Sequence, residues 1–337
     1  MRHIKLVLLL IIAFSLSSVQ AQNLAKTATT AAQFLKIGVS PRAIGMGGAF
    51  TATSDDVSSM YWNPAGISQN NSRSAYFNHV EWFADVQLDF AGVTSHIPSL
   101  GTVGMFVTVM TMDEMLVRTI EKPEGTGEYF NAGGLTAGIS FARNLTDNFS
   151  IGFNAKYVTE YIWNESASGF AIDIGTMYKI PVLNEFRLAA SISNFGTKMK
   201  LEGRDIITLK QVGTETGNFI NTNLEMDEYD LPLVFRVGVA ADVVKFEDNI
   251  FTVAIDAVHP NDHYEYVNTG VEYTWNEMLS VRAGYKSLFE VDTQQGLTLG
   301  LGLNYRLLST IKVQIDYAYQ DFGRLTEVHY LGMGVKF

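Results

Sequence analysis

The sequence contains no cysteine, so no disulfide framework holds it together. An exported chain of 337 residues built this way must rely on a large core or on a large hydrogen-bonded system. Proline is scarce at 7 residues, and charged residues, at 18%, fall below the usual quarter. No stretch beyond residue 21 approaches the roughly 20 apolar residues that a membrane-spanning helix needs, which excludes transmembrane helices from the body of the chain. Basic residues are outnumbered, 24 against 35 acidic ones, for a formal net charge of −11. That balance argues against a nucleic-acid partner.

What is present begins with a secretory signal. Met1-Arg2-His3-Ile4-Lys5 forms a basic start, "LVLLLIIAFSL" an apolar run, and Ser17-Ser18-Val19-Gln20-Ala21 a small-residue cleavage site. Residues 1–21 are therefore expected to be removed after Sec-dependent export, and with Arg2 and Lys5 gone the charge becomes −13. Without a cysteine the segment is not a lipoprotein signal. Glycine (29 residues) and aromatics (12%) are plentiful, a composition that leans toward a β-rich membrane protein.

The dominant pattern after residue 72 is strict alternation. In "IKVQIDYAYQ", Ile311, Val313, Ile315, Tyr317 and Tyr319 share one face, and Lys312, Gln314, Asp316 and Gln320 the other. "LTLGLGLNYR" and "IGFNAKYVTEY" behave the same way. The apolar faces are nearly unbroken, whereas the others mix Gly, Ser, Thr and Asn with charge, as for lipid outside and a polar lumen inside. Fourteen such strands fit between residues 73 and 337, the first at about 73–82 and the last at about 327–337. Counted from the first strand, the even connections ("PSL", "NLTDNF", "PVLN", "VKFED", "WN", "LLS") are short. The odd ones include the long stretches around 112–131 and 196–230, and only the first of them, near Phe83, reads as tight. Short periplasmic turns and long outer loops are the rule in such barrels. The fold expected is all-β, a 14-stranded antiparallel transmembrane β-barrel over residues 73–337, preceded by an N-terminal segment, 22–72, that is periplasmic or fills the lumen.

That segment holds "GMGGAFTATSDDVSSMYWNPAGI", starting at Gly45. It lacks the last glycine of a dinucleotide fingerprint, no strand precedes it, and no Gly-Lys-Ser/Thr follows for a phosphate loop. Asp55 and Asp56 are adjacent, and on an extended chain they would point apart instead of forming a catalytic pair. The structural reading has Arg42, Asp55 and Asp56 forming ion pairs to lumen charges on the wall, such as Asp316, Lys312 and Arg236, because buried charge must be paired. Gly45, Gly47 and Gly48 would let backbone pass close to the wall. Asn63, Pro64, Ala65 and Gly66 would pin a sharp reversal into the first strand, with Asn63 bonding its own backbone two residues on. His259 and His263 lie in an outer loop without a third metal ligand, and the acidic run at 225–230 reads as a solvated loop. No catalytic constellation, metal site or cofactor emerges from the spacing, so no enzymatic activity is expected.

The stretch "SPRAIGMGGAFTATSDDVSSMYWNPAGI" resembles the N-terminal signature of FadL-like outer-membrane barrels, in which a hatch enters the lumen and ends in an Asn-Pro-Ala box. "HPND", "GVEYTW", "SVRAGYK" and "IDYAYQDFG" bring it nearer to the PorV/PorQ family of type IX secretion. The terminal Phe337, closing an alternating strand, resembles the signal by which outer-membrane barrels are recognised for assembly. The resemblance implies an outer-membrane location among lipid and lipopolysaccharide. It also implies partners in the type IX translocon, the C-terminal signal domains of cargo, or an attachment complex. The alternative it leaves open is a FadL-like transporter of a hydrophobic small molecule, with a pocket formed by Met112, Met115, Leu116 and the hatch.

Overall fold

The computed structural model describes residues 27, 29–180, 186–213, 217–290, 293–307 and 310–337. The expected signal, 1–21, lies outside the described residues.

Fourteen antiparallel strands close into a barrel. They are β1 Ser74–Glu81, β2 Val86–Ile97, β3 Gly101–Met112, β4 Ala132–Asn144, β5 Phe149–Ile162, β6 Glu165–Ile180 and β7 Phe186–Gly196. Then follow β8 Val234–Phe246, β9 Asn249–Pro260, β10 Tyr266–Trp275, β11 Leu279–Leu288, β12 Leu297–Arg306, β13 Lys312–Asp321 and β14 Glu327–Lys336. Each strand pairs with its neighbours in sequence, and β14 returns to β1 with Ser74 opposite Lys336 and Glu81 opposite His329. Among the described residues closure leaves the barrel sheet no unpaired edge, which in lipid would expose backbone donors and acceptors with no partner.

Burial along the strands is inverted relative to a soluble sheet. On β12 Leu297, Leu299, Leu301 and Leu303 are exposed while Thr298, Gly300 and Gly302 are buried; on β13 Ile315 and Tyr317 are exposed while Asp316, Ala318 and Gln320 are buried. Apolar side chains thus face outward around the ring and polar or small ones inward, the arrangement for lipid outside.

One end of the barrel carries short connections and the other the long ones. The link between β5 and β6, an odd connection expected to be longer than a tight turn, is in fact the two-residue turn Trp163–Asn164, with Trp163 at φ 54° and Ile162 still paired to Glu165. The ladder simply continues past the point where the apolar alternation fades. At the long-loop end, residues 197–233 contain a two-stranded ribbon, Ile207–Gln211 against Phe219–Asn223, and residues 113–131 contain the short pairing of Met115–Leu116 with Tyr129–Phe130.

Residues 29–70 lie inside the ring. Their partners are inward-facing groups on β1, β4, β5, β6, β7, β9, β10 and β12, which only a chain enclosed by the wall can reach at once. The segment starts at the long-loop end, where Thr30 bridges to Asp230, and leaves at the short-turn end, where Ser68 and Gln69 bond Asn144 and Ser150. Ala43, Ile44, Met46, Phe50 and Met60 on it are fully buried, so the hydrophobic core sits within the lumen and is built largely from this segment.

Candidate functional site

Short irregular elements place the segment's side chains. Pro41, with its fixed φ, opens the single helical turn Pro41–Gly45, and Gly47 and Gly48 follow at φ 67° and 77°, values that disfavour any residue with a Cβ. These glycines run along a matching track on the wall. A Cβ on Gly45 would stand 2.9 Å from Gly300 Cα, and one on Gly284 would stand 2.7 Å from Gly47 Cα. Gly270 and Gly284 are paired across β10 and β11, so two wall backbones and the segment backbone meet with no side chain between them.

Beside the track runs a chain of charges. Arg42 donates from Nε and Nη2 to the two oxygens of Glu272 on β10, both at 3.0 Å. Arg282 on β11 donates to Glu272 at 2.6 Å and to Asp316 on β13 at 2.7 Å. Arg42 also pairs with Asp55 and, at 3.7 Å, with Asp56. The expectation of ion pairs to the wall is therefore corrected in its parts: the arginine reaches the wall, and both aspartates instead turn back to the arginine within the segment. They converge because residues 51–58 are a run of turns and not extended chain. Asp56 further accepts from the Ser58 amide (2.8 Å) and hydroxyl (2.6 Å). Of the expected wall charges, Asp316 contacts Arg282, Arg236 lies over the Trp62 ring at 5.5 Å, and Lys312 sits exposed at the short-turn rim, 4.0 Å from Glu277.

One wall carboxylate and one wall carboxamide satisfy buried segment backbone. Asp256 on β9 accepts from the amides of Phe50 (3.0 Å) and Thr51 (2.8 Å), and Asn154 on β5 donates to the Met60 carbonyl (2.6 Å). Buried backbone groups left unpaired would each be costly. Neither residue stood out in the sequence, although each occupies an inward position of an alternating strand. Asn63 accepts from the Ala65 amide (3.2 Å) and donates to the Thr51 and Thr176 carbonyls (2.9 and 3.1 Å). Pro64 then opens the 3₁₀ helix Pro64–Gln69, and Gly66 packs so that a Cβ would meet Ser54 at 2.7 Å. Phe337 pairs with Arg73 through both backbone amides and leaves its ring exposed.

At the short-turn end Arg42, Asp55 and Asp56 share with Glu272, Arg282 and Lys312 a charged vestibule of about 680 Å³; deeper, the space between segment and wall is small. Phe34, Leu35, Met60, Tyr61, Phe106 and Arg236 border a cavity of about 20 Å³, room for roughly one water. Met112, Met115 and Leu116 belong to the long-loop end, and none of them borders this cavity. His259 pairs with Glu265 (3.0 Å) and His263 with Glu290 (2.8 Å).

A closed 14-stranded barrel threaded by this segment is the setting for the sequence match. The family described as Type IX secretion system protein PorV matches residues 19–258, more than half of the chain. The chain belongs to the PorV family. No protein of curated function matches it. Among solved structures, this PorV-family barrel is similar to the CymD monoaromatic hydrocarbon channel, at 14% identity over 89% of this chain and 97% of that one, with a TM-score of 0.57. It is also similar to the Pseudomonas putida toluene transporter TodX (12% identity, 87% and 96% covered, TM-score 0.54) and the Ralstonia pickettii toluene transporter TbuX (11%, 89% and 97%, 0.54). At these identities the likeness concerns the fold alone. The PorV-family barrel is an outer-membrane protein; by the rule that such barrels turn tightly on the periplasmic side, its short-turn end is taken as the periplasmic one.

At the opposite, outer end the segment is latched. Asp262, in the loop between β9 and β10, accepts from Thr30 Oγ1 (2.7 Å), Gln33 Nε2 (2.9 Å) and Lys36 Nζ (3.0 Å). Burial pushes its carboxyl up, but the hydrogen bonds from Gln33, Thr30 and Lys36 outweigh that and hold it below the ordinary 3.8. A depressed aspartate stabilises the folded state above its unfolded pKa and loses that contribution as pH falls through the folded value. The outer end of the segment is accordingly expected to hold at neutral pH and to loosen below about pH 4. Hydrogen exchange at the Ala31 amide, bonded to the Asp230 carbonyl, reads this directly. Asp262→Asn should speed that exchange at neutral pH and flatten its dependence on acid; an unchanged profile would remove Asp262 as the latch.

Proposed function

We propose that this PorV-family barrel serves type IX secretion as a non-enzymatic scaffold. In this reading its outer loops engage the C-terminal signal domain of secreted cargo or the attachment machinery, and the lumen segment acts as a hatch. The observation that supports it is the ribbon Ile207–Gln211/Phe219–Asn223, every residue of which but one is exposed. Leu209 is 66% and Phe219 58% accessible, with Ile207 and Ile220 beside them. A two-stranded ribbon is marginal alone and keeps unpaired edges, so it can accept a partner's strand while its apolar side chains are covered. Loops held by a rigid scaffold commonly carry binding.

The hydrocarbon-channel structures that share this fold suggest the other reading, passage of an apolar small molecule. Pockets for such ligands measure about 300–1,000 Å³ and are mostly apolar; the space of that size beside the lumen segment, about 680 Å³ at the short-turn end, is lined by Arg42, Asp55, Glu272, Arg282 and Lys312, and toward the long-loop end only about 20 Å³ remains. Passage would therefore need the segment to leave its seat, and the secretion reading is the better supported. The test replaces residues 206–224 with a short Gly-Ser linker. Recovery of cargo signal domain or of the translocon with the barrel should fall at least about tenfold, the scale of one lost apolar anchor. The heat-dependent shift in gel mobility should persist. Undiminished recovery with the linker in place would sink the reading.

A further inference from the structure

The outward wall over β1–β7 carries a depression that the lumen segment does not use and that the long loop borders only at Thr197. Two adjoining hollows, of about 780 and 730 Å³, share Met105, Ile139, Ala155 and Ile172. These side chains form one row straight across the ladder, Val93 opposite Met105, Met105 opposite Ile139, Ile139 opposite Ala155, and Ala155 opposite Ile172. The cause lies on the other face of the same strands. A Cβ on Gly92 would stand 2.7 Å from Met60 Cε, and one on Gly104 2.6 Å from its Sδ. With no side chains there, the wall lies directly against the lumen segment. A sheet is one layer thick, so what it gives up inward appears outward as a hollow. Ala155, small among larger neighbours, deepens the place where the two hollows meet.

The periplasmic end of the depression is charged. Arg73 lines the first hollow, is exposed, and has no side-chain hydrogen bond or ion pair among the described residues. It precedes Ser74, which lies opposite Thr94, so it stands within a few residues of the turn at 98–100. Arg143 continues the outward face of β4 beyond Ile139 and Phe141 and is exposed as well. A guanidinium at the depth of the lipid headgroups, above an apolar trough, has the geometry of a phosphate holder with a hydrocarbon slot attached.

We propose that this depression is a binding site for a glycerophospholipid of the periplasmic leaflet. Its acyl chain lies along the Met105–Ile139–Ala155–Ile172 row and its phosphate sits against Arg73, while Arg143, three strand spacings or roughly 14 Å away on β4, adds positive charge to the same rim. The side of the membrane follows from the charged end facing the short turns, and the phosphate from the guanidinium, whose side chain makes no hydrogen bond or ion pair among the described residues. The site belongs to the wall alone and is independent of the cargo reading.

Native mass spectrometry of the detergent-solubilised barrel titrated with palmitoyl-oleoyl phosphatidylglycerol tests it. The wild-type barrel should retain a discrete number of lipids. Ala155→Trp fills the trough from the lipid side without touching the lumen and should weaken retention about tenfold, the effect of excluding roughly two methylenes. Arg73→Gln should weaken it about fivefold, and a diacylglycerol lacking the phosphate should bind both forms equally. Retention unchanged by Ala155→Trp overturns the slot, and retention unchanged by Arg73→Gln overturns the phosphate contact. A photo-crosslinker placed at Ala155 in cells should capture lipid; capture of a protein instead would assign the hollow to a membrane partner and overturn the proposal.

Discussion

Arg42→Ala will turn the barrel leaky. The substitution leaves Glu272 facing the lumen with Arg282 as its remaining cation, and it strips Asp55 and Asp56 of their shared partner. Removing one member of a buried pair costs roughly 3–5 kcal/mol, because the other charge stays buried. Since Arg42 is the segment's charged link to the wall beside the glycine track, that loss falls on the seating of the segment. Planar-bilayer recordings should show open-channel events that the wild type lacks, and the temperature of the gel-mobility shift should drop by several degrees. Arg42→Lys keeps the charge but loses the two-pronged contact with Glu272, so it should leak to an intermediate degree. Asp55→Ala with Asp56→Ala leaves the Arg42–Glu272 contact in place and should leak less than Arg42→Ala. Equal conductance in Arg42→Ala and wild type would refute the anchor.

Gly284→Val should unseat the segment from the opposite side of the contact. In a strand, glycine to valine ordinarily raises β preference. Here the new side chain meets the backbone of Met46 and Gly47, and backbone cannot swing aside. Overpacking of a tight site costs about 1–3 kcal/mol, and relief comes only by moving the segment. Trypsin should then cut after Arg42, which the wild type protects, while Val281→Ala on the lipid face of the same strand should leave protection intact. A protected Arg42 in Gly284→Val would show that the wall tolerates the methyls.

The parts of this molecule legible in the sequence are those governed by one rule repeated many times. Ile315 and Tyr317 outward with Asp316 inward is alternation, and alternation plus connection length recovers fourteen strands. What was not legible depends on pairings between distant strands. Glu272 sits in "GVEYTW" as an ordinary inward residue, and nothing local ties it to Arg42, 230 positions away. The wall glycines 270, 284 and 300 were visible as small inward residues, but their alignment into a track is a matter of register. That buried charge must be paired is legible for Asp55 and Asp56, but their partner is not, because the turns at 51–58 bring both onto Arg42 of the same segment. The Trp163–Asn164 turn is hidden in the sequence because its flanking residues, Ile162 and Glu165, lack the usual turn chemistry.

The course of the segment constrains the order in which the barrel can be made. Its wall partners are late in the chain: Thr298 is 251 residues from Gly47, and Asp256 is 206 from Phe50. One end is tethered to β1 at the periplasmic mouth, and the other is latched at the outer mouth. Had the ring closed first, this stretch would have to thread its full length through a finished hoop, a step that folded chains avoid. The β1–β14 seam, Ser74 to Lys336, must instead zip shut around a segment already laid along the inner faces of the strands. The N-terminal segment is in that sense a mandrel, and the barrel takes its bore from what it closes upon.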